Sequence, residues 1–238
     1  MPSASLPIAS APIAWDLKLV AGLILAAAIA WMTPFDLAFG AATLGAPVLR
    51  AGGIVVLALA GLYVARRIDL GVESRGTARP VLTSLLWAAG VGVGCAAFDW
   101  MFRPILHGGY VAMLTSAPLG SRIVVYMMRA FNENILYRLF LGSVLIWVIG
   151  QVWKAPDGRP ATGAYWVGFS LAQAINVWIN VTSQAPVTPT VLLHDGLRYF
   201  APGMAWSWLY WKRGFQSNEI ASTSVHLVFQ PLVTLGLG

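Results

Sequence analysis

Glu133, Gln173 and His226 stand at similar depth inside three strongly apolar stretches of this sequence. A charged side chain near the middle of a bilayer costs about 2.5–3.5 kcal/mol on insertion. Residues that bear such a cost face the bundle interior or a wet cavity, which makes them functional candidates. The chemistry open to these three is hydrolytic. A carboxylate can take a proton from water, while an imidazole and a carboxamide can donate to the oxyanion that forms when water attacks a carbonyl. More polar groups lie around them. Arg129, Glu133, Asn134 and Arg138 share the segment MMRAFNENILYRLFLG. Ser170, Gln173, Asn176 and Asn180 recur every three or four residues, which makes one polar stripe on a helix. His194, Asp195 and Arg198 follow, then Glu219, and after it His226 and Gln230 on one helical face.

Each group also has a plainer reading. Arg129 and Glu133 are four residues apart and can neutralise each other. Asp195 and Arg198, three apart, suit a structural ion pair. The stripe through Gln173 can be hydrogen-bonding glue between helices. A single histidine in a membrane helix is more often a packing residue than a ligand.

The elements that must position these groups follow from composition. Of 238 residues, 58% are hydrophobic and 10% charged, and the mean hydropathy is +0.72. Soluble domains carry roughly 25% charged residues, so a soluble globular protein is excluded. Disorder is excluded as well, because it needs low hydrophobicity and high charge. The expectation is an all-α, polytopic transmembrane bundle of about seven spans, near 17–33, 51–65, 81–102, 124–152, 163–182, 188–211 and 217–237. Residues 1–123 supply N-terminal transmembrane helices and 124–238 a four-helix core, all within one integral bundle. The stretch MPSASLPIASAPIA has no basic residue ahead of its apolar run, which favours a retained first span over a cleaved signal.

A net charge of +6 would suggest nucleic acid in a soluble protein. Here it reads as basic residues retained in cytoplasmic loops, and no nucleic-acid partner is expected. One set of loops holds Arg66, Arg67, Arg75, Arg79, Lys154, Arg159, Lys212 and Arg213; the other holds Arg50, Arg103 and Arg122. That asymmetry places the N-terminus in the cytoplasm and the C-terminus outside, in the inner cell membrane. Trp153, Trp166, Trp206, Trp208 and Trp211 are expected in an interfacial belt, and Gly90 and Gly94 at close helix contacts. The single cysteine, Cys95, rules out a disulfide framework within the chain and a thiolate metal cluster.

Three of these segments, in order, resemble the motifs of a known family. Glu133-Asn134-Ile135-Leu136-Tyr137-Arg138 resembles the EExxxR motif of the CPBP intramembrane proteases, which include the CAAX prenyl endopeptidases and the bacteriocin-processing, Abi-like bacterial relatives. Phe169-Ser170-Leu171-Ala172-Gln173 is similar to FxxxH with glutamine for histidine, and His226-Leu227-Val228-Phe229-Gln230 to HxxxN with glutamine for asparagine. The YWKRG turn before the last span also fits, and the likeness covers roughly residues 124–237. It implies an intramembrane endopeptidase acting on a membrane-associated peptide or protein. Glu133 would activate water, with His226 and Gln230 as oxyanion donors. Gln173 would stand at the assisting histidine's position, its carbonyl orienting water. Arg138 would be the motif arginine, its intrahelical partner now Asn134, a residue that can hydrogen-bond it but not neutralise it. Arg138 is then expected to turn to Glu133 or to Asp195. Asn134, Asn176, His194 and Asp195 are secondary site candidates, with His194 the alternative occupant of the missing histidine's place.

Two other functions remain open from sequence. The loss of the assisting histidine suits a degenerate relative that binds or scaffolds a membrane protein without cutting it. His194 and His226 on different spans suit haem ligation or proton handling. No cofactor is firmly implied; zinc on Glu133 and His226 is possible.

Overall fold

The computed structural model describes residues 17–32, 46–74, 79–106, 108–184 and 188–238. Arg75 and the segment ahead of Leu17 lie outside the described residues. Among the described residues the chain is helical without strands. The helices are α1 (Leu17–Met32), α2 (Pro47–Arg67), α3 (Pro80–Phe102), the short α4 (Gly108–Thr115), α5 (Leu119–Asn134), α6 (Ser143–Val152), α7 (Thr162–Gln184), α8 (Pro189–Arg213) and α9 (Phe215–Leu237). α5 runs into α6 through a wider, π-helical stretch, Ile135–Gly142.

Local chemistry sets the boundaries. Pro47, Pro80 and Pro189 open α2, α3 and α8. There the missing N–H is no loss and the fixed φ suits a first turn. The Thr188 hydroxyl accepts from the Val191 N–H and caps α8. Gly214 breaks α8 from α9 with φ of 93°, a conformation L residues rarely adopt, and a Cβ there would strike the Glu73 carbonyl. Arg50, buried in α2, donates to the carbonyls of Ala30 and Trp31 at 3.0 and 3.2 Å and so satisfies the open end of α1.

Four helical stretches are long and apolar enough to cross a membrane: Pro47–Arg67, Pro80–Ile105, Leu119–Val152 and Phe215–Leu237. α7 and α8 have the length, with 23 and 25 residues, but carry the polar stripes that lower their hydropathy, and α1 has 16 residues. All seven apolar segments of the sequence fall on helices; the fourth begins at Leu119, five residues earlier than its charged border at Arg122 suggests. α3 packs along α9, α5 against α9, α1 on α2, α2 on the π-helical stretch, and α7 between α6 and α8.

Three loops meet on one face of the bundle. Arg159, in the turn between α6 and α7, pairs with Asp69 after α2 at 2.8 Å. The N–H groups of Phe215 and Gln216, at the start of α9, donate to the carbonyls of Gly71 and Val72. These are the loops that carry the larger set of basic residues.

Three packing expectations need correction. Gly90 and Gly94 face open space, and the close approach is at Gly92, where a Cβ would press on Val228 of α9. The reason is phase: the face of α3 turned inward runs through Ser84, Ala88, Gly92, Cys95, Ala96 and Asp99. Trp206 is buried among Ala88, Leu209 and Ala221 rather than set in a belt, whereas Trp153 and Trp166 are exposed. Arg50 and Arg122 are buried helix residues, not loop charges.

Candidate functional site

α5, α7, α8 and α9, with α3 and α4, line a half-open cavity of about 150 Å³, room for several waters. Glu133 and Asn134 enter it from α5, and Arg138 from the π-helical stretch. Gln173 and Asn176 enter from α7, His226 and Gln230 from α9. The widening of the helix at residue 135 bears on this convergence. In regular α geometry Arg138 would be rotated about 140° from Glu133, on another face. Bonds that reach five residues back advance the chain less per residue, so Arg138 comes round toward the same cavity.

Glu133 is partly exposed and takes the Arg129 guanidinium on Oε1 at 2.6 Å; Arg129 also donates to Asn180 Oδ1 at 2.6 Å. The i,i+4 pair seen in the sequence therefore exists, and it ties the carboxylate to the polar stripe of α7. Asn180 in turn donates to Asn176 Oδ1 at 2.6 Å.

Arg138 turns to neither Glu133 nor Asp195. Its Nη2 donates to Gln173 Oε1 at 2.6 Å, and its Nε is buried without a partner. Gln173 donates from Nε2 to the Tyr199 carbonyl at 3.1 Å, so both ends of its carboxamide are engaged. Gly203 makes room for it, because a Cβ there would overlap that carboxamide. The carbonyl oxygen expected to orient water is thus also the acceptor that holds Arg138. Asn134 bonds not Arg138 but Glu219 Oε2, at 3.2 Å, and the Ser222 hydroxyl. It faces α9, and the other oxygen of Glu219 is buried without a partner.

On α9 the cavity meets two side chains whose buried polar atoms have bonding capacity to spare. His226 stacks on Tyr126, with ring centres 5.5 Å apart, and its Nδ1 has no partner. Gln230 is fully buried; its Oε1 accepts from Arg122 at 3.1 Å and its Nε2 has no partner. Buried polar atoms almost always find a partner, so orphans lining a cavity mark where a water or a ligand group belongs.

His194 and Asp195 lie outside this cavity. His194 Nδ1 is 2.7 Å from Asp195 Oδ1, and its Nε2 is 3.3 Å from Asp99 Oδ1, close enough for attraction though off the hydrogen-bond line. Its ring packs among Phe98, Phe102 and Tyr110. It does not stand in for the missing histidine. The expected Asp195–Arg198 pair is replaced by Arg198 Nε on Asp99 at 3.1 Å, because Asp195 is taken up by His194. Among the described residues no group of three or more His, Cys, Asp or Glu is arranged to hold a metal ion. No third side chain of these types joins Glu133 and His226 there.

Sequence reasoning missed Asp99, Tyr110 and Arg122. Asp99 stood in AAFDWMF, where an ionisable residue inside an apolar span is itself the signal. Arg122 stands seven residues before Arg129 and eleven before Glu133, spacings that place all three on one face of a helix. No protein-family model, curated protein or solved structure matches the chain.

Proposed function

We propose that the chain is an intramembrane endopeptidase of the CAAX-protease-like type. It spans the inner cell membrane about seven times with the N-terminus cytoplasmic, and cuts a membrane-associated peptide or protein. The topology rests on the basic loops that gather on one face. The activity rests on one observation: a carboxylate and two buried, unpartnered nitrogen groups, His226 Nδ1 and Gln230 Nε2, line the same cavity.

In this reading Glu133 takes a proton from a cavity water as the water oxygen attacks a peptide carbonyl. Gln230, and His226 in the tautomer that carries an N–H toward the substrate, donate to the oxyanion of the tetrahedral intermediate. The intermediate collapses by breaking the C–N bond, and the leaving amine receives the proton held by Glu133. Arg129 orients Glu133 through Oε1, and Gln173 fixes Arg138 at the cavity wall.

The test is Glu133→Gln, a change of charge at nearly constant shape. Cleavage of a membrane-tethered reporter by purified protein should fall by about 10²–10⁴, the usual contribution of a positioned base. Equal rates for parent and variant would refute the mechanism.

A second reading has its own observation. Gln173 spends both ends on Arg138 and Tyr199, so no side chain at that position assists the water. That suits a degenerate relative which binds a membrane protein in the same cavity. Under it, the chain's cellular phenotype survives Glu133→Gln.

A further inference from the structure

The polar network places an arginine behind the site rather than in it. Arg122 lies in the first turns of α5 and is 4% exposed. Its three edges are all spent on neutral oxygens: Nε on the Ala117 carbonyl at 3.0 Å, Nη1 on Gln230 Oε1 at 3.1 Å and Nη2 on the Thr234 hydroxyl at 2.6 Å. Thr234 Oγ1 in turn donates to the Gln230 backbone carbonyl at 2.7 Å. A guanidinium in an apolar bundle without a carboxylate against it is expensive. What it gains here is direction. Arginine has five N–H donors and no acceptor, so a carboxamide facing it must present oxygen. That fixes which end of Gln230 points away, and the end pointing away is the orphaned Nε2 at the cavity.

Left to itself, a glutamine carboxamide can rotate by half a turn at little cost, since its last torsion is broad and roughly two-fold. The rotated form would present a carbonyl lone pair where an oxyanion has to form. Arg122 and Glu133, eleven residues apart, sit about 20° from one another around α5. One helix therefore carries both the base and the clamp on the donor that faces it across the cavity.

We infer that Arg122 is a positioning residue: through Gln230 Oε1 it holds the Gln230 N–H toward the reacting carbonyl oxygen, with no contact of its own to substrate. This rests on the hydrolytic reading above and names the residue that prepares its oxyanion donor.

The experiment measures kcat and KM for reporter cleavage by the full-length protein in lipid. The variants are Arg122→Gln, Arg122→Lys, Gln230→Ala, the double variant of Arg122→Gln with Gln230→Ala, and Glu133→Gln. Arg122→Gln removes the directional constraint and should lower kcat by about 10- to 100-fold with KM within twofold, somewhat less than loss of an oxyanion donor outright. Arg122→Lys keeps a donor-only group and should restore most of that loss. On the Gln230→Ala background, Arg122→Gln should cost nothing further. A rise in KM alone, or losses that multiply in the double variant, would overturn the assignment.

Gln230→Glu gives a readout that needs no activity. A carboxylate facing Arg122 gains an ion pair, so the melting temperature should hold or rise, and on Arg122→Gln the same change should lower it. A fall in the Arg122 parent overturns the contact itself. Cleavage that does not need Glu133 defeats the hydrolytic reading and the assignment with it. Cleavage that needs Glu133 but ignores Arg122 defeats the assignment alone.

Discussion

Among the described residues two histidines sit in polar clusters, His194 buried and His226 half-buried, and the clusters differ in how much they leave unpaired. Around His194, both ring nitrogens face carboxylate oxygens. Asp99 is shared among His194, Arg198 and the Tyr110 hydroxyl, which donates to Oδ2 at 3.1 Å. The ring bonds Asp195 through Nδ1, while its Nε2 stands 3.3 Å from Asp99 off the hydrogen-bond line, so one nitrogen of this cluster is left without a bond. The ring is sealed by Phe98, Phe102 and Tyr110. Around His226, one face is covered by Tyr126, but Nδ1, Gln230 Nε2 and Arg138 Nε are left without partners beside a cavity. The first, closed cluster joins α3, α4 and α8 around a shared carboxylate; the second, open one lines a cavity with three unpartnered nitrogens. Arg198 belongs to both, pairing with Asp99 while lining the cavity and lying over the Phe229 ring at 4.4 Å. The closed cluster thus forms part of the wall of the open one.

Removing the acid at the centre of the closed cluster has the largest expected effect. Asp99→Ala removes the carboxylate that Arg198 pairs with and the acceptor of the Tyr110 hydroxyl, and breaking a buried pair by deleting one partner costs about 3–5 kcal/mol. Thermal unfolding of the protein in detergent should show a large drop in melting temperature, and Asp99→Asn, which keeps an acceptor oxygen, a smaller one. A fully stable Asp99→Ala would show that the cluster holds nothing together.

His226→Ala sharpens the comparison from the other side. If the open cluster is for a reaction, losing this donor should reduce kcat by about 10²–10³, or roughly 2.7–4 kcal/mol of barrier. Stability should change by no more than about 1 kcal/mol, the order of one stacked aromatic contact. The pair of variants should therefore separate: one loses its fold, the other its activity. Comparable melting losses in both would erase the distinction between the clusters.

The contrast was only half legible in the sequence. Periodicity and charged borders located the helices, because a helix buried in lipid must be apolar along its length. The set Glu133, Gln173, His226 and Gln230 was found because polar residues in such helices stand out. Partners across helices were not legible. Spacing along one helix suggested Asp195–Arg198 and Asn134–Arg138, yet Asp99 on α3 captures Arg198, and Glu219 on α9 captures Asn134. A side chain chooses the nearest charge in space, and helix phase, not sequence distance, decides which that is. Phase also moved the close contact from Gly90 and Gly94 to Gly92. Arg122 was hidden by a boundary: with the span begun at residue 124 it counts as a loop charge, and with α5 begun at Leu119 it is a buried clamp.

Gln173→His carries the smallest expected effect and probes the edge of the open cluster. The glutamine accepts from Arg138 and donates to the Tyr199 carbonyl. A neutral imidazole has one acceptor and one donor nitrogen and can make the same two bonds, so the bundle should tolerate it. Ring and carboxamide differ modestly in size, and the absent Cβ of Gly203 is what makes room for the side chain at 173. The nitrogen lone pair that receives Arg138 is then unavailable to water, and an imidazole so held adds no base. Cleavage should change by less than about tenfold, under 1.4 kcal/mol of barrier. The measurement uses matched amounts of parent, Gln173→His and its double variant with Glu133→Gln. A gain of a hundredfold that vanishes in the double variant would mean that the imidazole had released Arg138 and reached the water. Residue 173 would then belong to the reacting side of the cavity rather than to its frame.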